Sequence, residues 1–224
     1  MTTLAAMLEA SPWMAGLDVA LRNRVHADVI ERDAPAGHYV ARRNEPAAHW
    51  IGVIDGLVKL SADASNGRTV TFTGVPPGCW FGEGSVLKDE PRRYDVIALR
   101  PSRVALMPRA TFTHLLESSI PFNRFLLMQL NERLGQFIGM VEHDRLLGPE
   151  GRIARALAAM FNPVLYPSAG MRLAISQEEI GYLSGVSRQR VNQALQVLER
   201  AGVLRVDYGA IVIVDLERLR RFQD

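Results

Sequence analysis

The stretch ISQEEIGYLSGVSRQRVNQALQVLERAGV, residues 175–203, decides how the rest of the chain is read. Ser176 stands three residues before Glu179, the S-x-x-E spacing in which each side chain satisfies the other residue's backbone N–H at a helix start. Ile180 and Leu183 then turn an apolar side inward, and the small Gly181 lets a second helix cross closely. Gly185 breaks the run, and Val186 supplies an apolar plug. Ser187 is the expected cap of a second helix with Val191, Ala194, Leu195 and Leu198 at helical spacing. A short helix, a glycine turn and a longer helix make a helix-turn-helix arrangement.

The outward face of the second helix carries the chemistry. Gln189, Gln193, Gln196 and Arg200 lie opposite Val191 and Leu198, flanked by Arg188 and Asn192. Arginine pairs bidentately with guanine, and asparagine or glutamine with adenine, so this face has the groups that read base edges in a major groove. Double-stranded DNA is therefore the expected partner. Arg188, Gln189, Asn192 and Gln193 are the expected base readers, and Ser176, Ser187, Arg190 and Arg205 the expected phosphate contacts. The other reading of the same residues is a small-molecule-binding module that uses its helix-turn-helix for protein interaction.

Working outward, VLRV and AIVIV flank Asp207-Tyr208-Gly209-Ala210, a β-hairpin immediately after the base-reading helix, and LERLRRF closes the chain as a short helix. Upstream, GRIARALAAMFN is helical, and Gly148-Pro149 separates it from a long helix that runs from about Pro121 to Leu147. Phe122, Phe125, Leu126, Leu130, Leu134, Phe137, Ile138 and Val141 form an apolar stripe along that helix. The stripe is expected to meet the same helix of a second chain in a parallel seam, which makes the protein a homodimer. Packing within the subunit is the alternative, because no single heptad phase is clean.

Before Pro108 the texture is that of strands. HYVA, WIGVIDGLVKLSA, RTVTFTGVPPG, CWFGEG, RYDVIAL and SRVALMP alternate with glycine and proline at the close spacing of an all-β sandwich or barrel. Asp55-Gly56 and Asn66-Gly67 are hairpin signals. Residues 4–30 are expected to be helical, interrupted by Pro12 and Gly16, and ATFTHLLESS is a further short helix.

Composition sets bounds. A chain of 224 residues with 48% hydrophobic and 22% charged side chains is an ordinary globular protein of one large or two modest domains. Net charge is +2, with 16 basic and 16 acidic residues up to position 146 and 10 against 8 beyond it, so the small excess accompanies the helix-turn-helix. Cys79 is the single cysteine, which excludes an intrachain disulfide and an iron–sulfur cluster held by several cysteines. Haem is not expected, since Cys79, His38, His49, His114 and His143 are ligands by type only. No apolar run is long enough for a bilayer and no signal-peptide pattern opens the chain, so a cytoplasmic protein without membrane partners is expected. No H-x-H pair, Walker loop, nucleophile elbow or HExxH occurs, and an enzyme is not expected.

This order of elements resembles the cyclic-AMP receptor and fumarate–nitrate regulator (Crp/Fnr) superfamily of bacterial transcription regulators. FGEGSVLKDEPRR at 81–93, GRIARAL at 151–157 and ISQEEIGYLSGVSRQRV at 175–191 carry the resemblance. It implies an α+β fold with three parts. The first is an N-terminal cyclic-nucleotide-binding-like β-roll, a jelly roll, at 1–119. A dimerisation helix at 120–147 and a C-terminal winged helix-turn-helix at 148–224 follow. It also implies a homodimer on a palindromic site, controlled by a small molecule in the roll, with RNA polymerase as a candidate partner. In relatives that bind cyclic nucleotides, a segment like Gly82-Glu83 offers backbone amides and a carboxylate, and an arginine matching Arg92 pairs with the phosphate. The implied effector set here is Gly82, Glu83, Gly84, Ser85, Arg92 and Arg93. This chain departs from the pattern with Arg93 and Tyr94 after the phosphate arginine, and with Phe137 and Ile138 where hydroxyls would meet an adenine. The expected effector is therefore an anionic or nucleotide-like molecule other than cyclic AMP, the alternative being that the set is only the structural remains of a nucleotide pocket.

Overall fold

The computed structural model of the chain describes residues 2–63, 69–167 and 170–223. The Asn66-Gly67 hairpin signal lies outside the described residues.

Contacts divide the chain into two compact units, residues 1–132 with 164–168, and residues 133–163 with 169–224. The first unit opens with α1 (Leu4–Ala10), a 3-10 turn at Met14–Gly16 and α2 (Val19–Asp28). Thr3 and Asp18 cap the two helices by accepting from Ala6 N and Leu21 N. Eight strands follow: β1 (Ile30–Ala34), β2 (Tyr39–Ala41), β3 (His49–Asp55), β4 (Val58–Asp63), β5 (Thr69–Val75), β6 (Trp80–Phe81), β7 (Asp95–Ala98) and β8 (Ser102–Pro108). They form two antiparallel four-stranded sheets, ordered β1-β8-β3-β6 and β2-β7-β4-β5. The α+β class and the N-terminal roll are thus as expected, but Asp55-Gly56 closes no hairpin: it carries the chain from β3 in one sheet to β4 in the other.

Two further local expectations are corrected. CWFGEG is strand only at Trp80–Phe81, because Gly82 takes a left-handed conformation (φ 86°) and opens the helix α3 (Glu83–Lys88). The run Ile30–Ala34, not anticipated as a strand, is the outer strand β1, paired to β8 from Ile30↔Leu106 to Ala34↔Ser102. Its first four residues are exposed, so no inward alternation marks it.

After the roll come α4 (Arg109–Ser118) and the long α5 (Ile120–Leu146), whose 27 residues span about 40 Å at 1.5 Å each. The core of the first unit is aromatic. Trp13, Trp50, Trp80, Phe112 and Phe122 are buried together, with Trp50 and Trp80 centroids 4.5 Å apart and Trp13 at 5.4 and 5.3 Å from them. Most of these pairs are tilted or edge-to-face, the arrangement aromatic quadrupoles prefer. Leu165 and Tyr166 are buried in the same unit, the Tyr166 hydroxyl lying 3.0 Å from Thr73 Oγ1.

The second unit contains α6 (Pro149–Ala159), β9 (Arg172–Leu173), α7 (Gln177–Ser184), α8 (Arg188–Arg200), β10 (Leu204–Asp207), β11 (Ala210–Ile213) and α9 (Leu216–Arg220). Pro149 sits in the first turn of α6, where its missing N–H costs nothing. Ile153, Ala154 and Leu157 of α6 are buried, as are Ile180 of α7 and Val191, Ala194, Leu195 and Leu198 of α8. The helical spacing read from residues 175–203 is therefore the core face of this unit. No helix among the described residues is long and apolar enough to cross a membrane.

Candidate nucleic-acid interface and effector pocket

The helix-turn-helix is built by local chemistry that the sequence spells out. Glu179 N donates to Ser176 Oγ at 3.2 Å, and Ser176 N donates to Glu179 Oε2 at 2.6 Å, a complete capping box. Gly185 ends α7 at φ 64°, and Arg152 of α6 clamps that end by donating to the Ser184 carbonyl at 2.9 Å. A Cβ on Gly181 would lie 2.9 Å from the Val186 carbonyl oxygen, so only glycine lets the turn fold this tightly over α7. Ser187 caps α8, accepting from Arg190 N at 3.4 Å.

With the apolar residues turned in, Arg188, Gln189, Arg190, Asn192 and Gln193 are all exposed on α8. Asn192 Oδ1 already accepts from Gln196 Nε2 at 3.2 Å, which leaves its own N–H₂ free to donate. The hydroxyls of Ser176 and Ser187 accept cap bonds through oxygen, a role that does not use their O–H donors. β10 and β11 pair antiparallel from Leu204↔Ile213 to Asp207↔Ala210, and β9 adds Leu173↔Ile211. Arg205 is exposed on this wing, whose tip carries the fully exposed Tyr208. Glu199, in the last turn of α8, accepts from Val206 N at 2.8 Å and so fixes the wing to the exposed helix.

In the first unit, Gly82, Glu83, Ser85 and Arg92 come together at the start of α3, and all but Gly82 are buried polar side chains. Arg92 is only 4% exposed. Its Nη1 would lie 2.8 Å from a Cβ on Gly82, and its Nη2 donates to the His49 carbonyl at 2.6 Å. Burial, above all, holds the Arg92 guanidinium below its ordinary value. Tyr94 and Glu45 pull it back up, while Arg32 adds to the lowering. His49 is also pushed down, first by burial and then by Arg92 and Arg32. A buried guanidinium that donates to a neutral carbonyl is suited to pair with an anion.

Neighbouring residues of the implied set part company. Ser85 Oγ donates to the Pro91 carbonyl at 3.5 Å, whereas a Cβ on Gly84 would meet nothing within 4 Å. Arg93 is exposed and forked onto Glu90 at 2.9 and 3.1 Å, which raises Arg93 and lowers Glu90 through that shared hydrogen bond. Arg93 thus differs from Arg92 in lying at the surface, where it shares Glu90 with Lys88, whose Nζ is 3.0 Å from that carboxylate. No group of three or more potential metal ligands gathers among the described residues.

The apolar stripe of α5 also divides. Phe122 and Leu126 are buried and Phe125 partly so, all against the aromatic core. Leu134, Ile138 and Val141 are 50–60% exposed, and Leu130 and Phe137 are intermediate. Phe122 and Leu126 are thereby removed from the candidate dimer seam, because their own subunit already covers them. Two contributors escaped the sequence reading. The His49 carbonyl left no signal, being backbone, but Gln129 did leave one: it is a polar residue on the buried face of α5, between Leu126 and Leu130.

The chain matches the model of the cyclic nucleotide-binding domain over residues 31–119 and that of the Crp-like helix-turn-helix domain over residues 151–222. It is similar to the CRP-like cAMP-activated global transcriptional regulator of Mycobacterium tuberculosis, with 29% identity over 192 residues, 84% of this chain and 86% of the relative. It is similar to the transcriptional regulator SdrP of Thermus thermophilus, with 27% identity over 174 residues, 77% of this chain and 82% of the relative. Among solved structures, FixK2 from Bradyrhizobium japonicum shares the fold at a TM-score of 0.72 and 22% identity, over 88% of this chain and 98% of that one.

Proposed function

Because the chain belongs to the Crp/Fnr superfamily of transcription regulators, carrying its cyclic nucleotide-binding domain and its Crp-like helix-turn-helix domain, we propose that it works as a homodimer on a palindromic DNA site under the control of an anionic small molecule. The observation that carries this reading is the exposed face of α8. A capped, well-packed helix presents Arg188, Gln189, Asn192 and Gln193 to the outside, while Arg190, Arg205 and the two capping serines surround them. Two-fold symmetry sets the two recognition helices in successive major grooves about 34 Å apart. Arg188 and the amides of Gln189, Asn192 and Gln193 read base edges, and the flanking groups hold phosphates.

The test is selection of a cognate site from random duplexes, followed by titration of single substitutions at fixed salt. Gln189→Ala is expected to cost about 1–3 kcal/mol at that site and to relax preference at one base pair. Affinity is expected to fall as a power of salt concentration. An unchanged site preference in Gln189→Ala removes Gln189 from the readers.

For the effector, Arg92 is the anchoring cation, with Gly82 amide geometry, Glu83 and Ser85 around it. The M. tuberculosis relative is described as cAMP-activated. Here the positions after the anchoring arginine are Arg93, committed to Glu90, and the large ring of Tyr94 packed 6.5 Å from Phe72. We therefore assign the pocket to a different anion. Saturating cyclic AMP is expected to leave operator affinity unchanged, and a cyclic-AMP-dependent gain in binding rejects this assignment.

A further inference from the structure

We propose that Gln129 is the positioning residue through which the pocket at Gly82 and Arg92 acts on the long helix, its side-chain amide holding the backbone carbonyl of Trp80. The proposal rests on the reading of that pocket as the effector site.

Gln129 is 2% exposed, on the same buried side of α5 as Phe122 and Leu126. A leucine there would bury apolar surface without desolvating an amide, and a buried amide is costly unless it is hydrogen-bonded. The bond it makes is from Nε2 to the Trp80 carbonyl, at 3.2 Å. Apolar packing is non-directional and tolerates a sliding helix, whereas a hydrogen bond requires donor and acceptor at one distance and angle. This contact therefore sets the axial position of α5 against β6.

Trp80 is a junction. Its indole Nε1 donates to Ser11 Oγ at 2.9 Å, and Ser11 Oγ donates onward to the Met7 carbonyl at 2.9 Å. Its ring lies 4.5 Å from that of Trp50, and Gly52 makes room for it, since a Cβ there would meet Trp80 Cε2 at 2.9 Å. β6 is two residues long and runs straight into Gly82, whose lack of a side chain admits Arg92 Nη1. From the other side, Arg92 Nη2 holds the carbonyl of His49, the residue before Trp50. An anion competes with that neutral carbonyl for the guanidinium and wins, because charge-assisted bonds are the stronger. Both routes from Arg92, through Gly82 and through His49–Trp50, reach Trp80, which α5 holds by the Gln129 hydrogen bond; Trp50 also meets Phe122 of α5, but by packing alone.

A chain of contacts becomes a coupling only when two perturbations interact, so the test is a double-mutant cycle in the full-length protein. Arg92→Met, Gln129→Leu and the double variant are compared for affinity to the selected operator and for thermal midpoint. Gln129→Met replaces Gln129→Leu if the latter does not fold. Arg92→Met is expected to change operator affinity by about 5-fold or more in the parent chain, in the range of allosteric couplings, and to have a markedly smaller effect once Gln129 cannot donate. The shifts in thermal midpoint are expected to add, since loss of packing alone does not interact. If the effects on operator affinity also add, Gln129 is not the link and the proposal fails while the pocket reading stands. If Arg92→Met leaves the parent's operator affinity unchanged, the pocket does not govern DNA binding, and reading and proposal fall together.

Discussion

Phe122→Ala is expected to destabilise the sensor unit by about 3–5 kcal/mol, the range for removing a buried aromatic ring. Phe122 is 0% exposed, and its ring stands 5.8, 5.7 and 5.6 Å from those of Trp13, Trp50 and Phe112, each at close to a right angle. The cavity left behind would be lined by rigid indoles that collapse poorly. Urea unfolding followed by far-ultraviolet circular dichroism measures the effect. The same experiment tests the correction to the helix stripe. A dimer-seam residue would lower stability in a concentration-dependent way, but Phe122→Ala is expected to act equally at all protein concentrations. A loss below about 1 kcal/mol contradicts the packing described for this ring.

Ile138→Glu is expected to give a monomer whose affinity for the palindromic site is lower by ~10²–10⁴-fold, the avidity that joining two reading heads supplies. Ile138 is 60% exposed, with Leu134 four residues before it and Val141 three after, also exposed. Single exposed apolar side chains are ordinary, but three at heptad spacing on one helix form a strip that a second copy would cover. A carboxylate in the middle of such a seam would be buried without a partner, which is strongly unfavourable. Sedimentation equilibrium and operator titration read the two consequences separately. A dimer that persists in the Ile138→Glu variant moves the interface elsewhere.

Legibility followed the range of the interactions. The capping box of Ser176 and Glu179, the glycine turn and the spacing from Val191 to Leu198 are written within a few residues of one another, so the sequence displays them in full. The α5 stripe shows the limit of periodicity. Helical spacing reveals a face, but whether Phe122 serves its own core or another chain depends on Trp13 and Trp50, which are remote in sequence. β1 was hidden because Glu31, Arg32 and Asp33 sit on an outer strand with no buried alternation. At the pocket, Arg92 and Arg93 are the same residue type side by side. What separates them is a backbone carbonyl 43 positions away for one and a surface glutamate three positions away for the other.

The packing of Trp13, Trp50 and Trp80 into one cluster has an optical consequence. These are the only tryptophans in the chain, and all belong to the first unit. With centroids 4.5–5.4 Å apart, their excited states communicate. Emission on 295 nm excitation is thus a private signal of the sensor, and melting of the DNA-reading unit is dark in it. Ellipticity at 222 nm sees the helices of both units. Coincidence of the two melting curves is then a direct criterion of whether the units unfold together, and any gap between them measures how independent the reader is of its sensor.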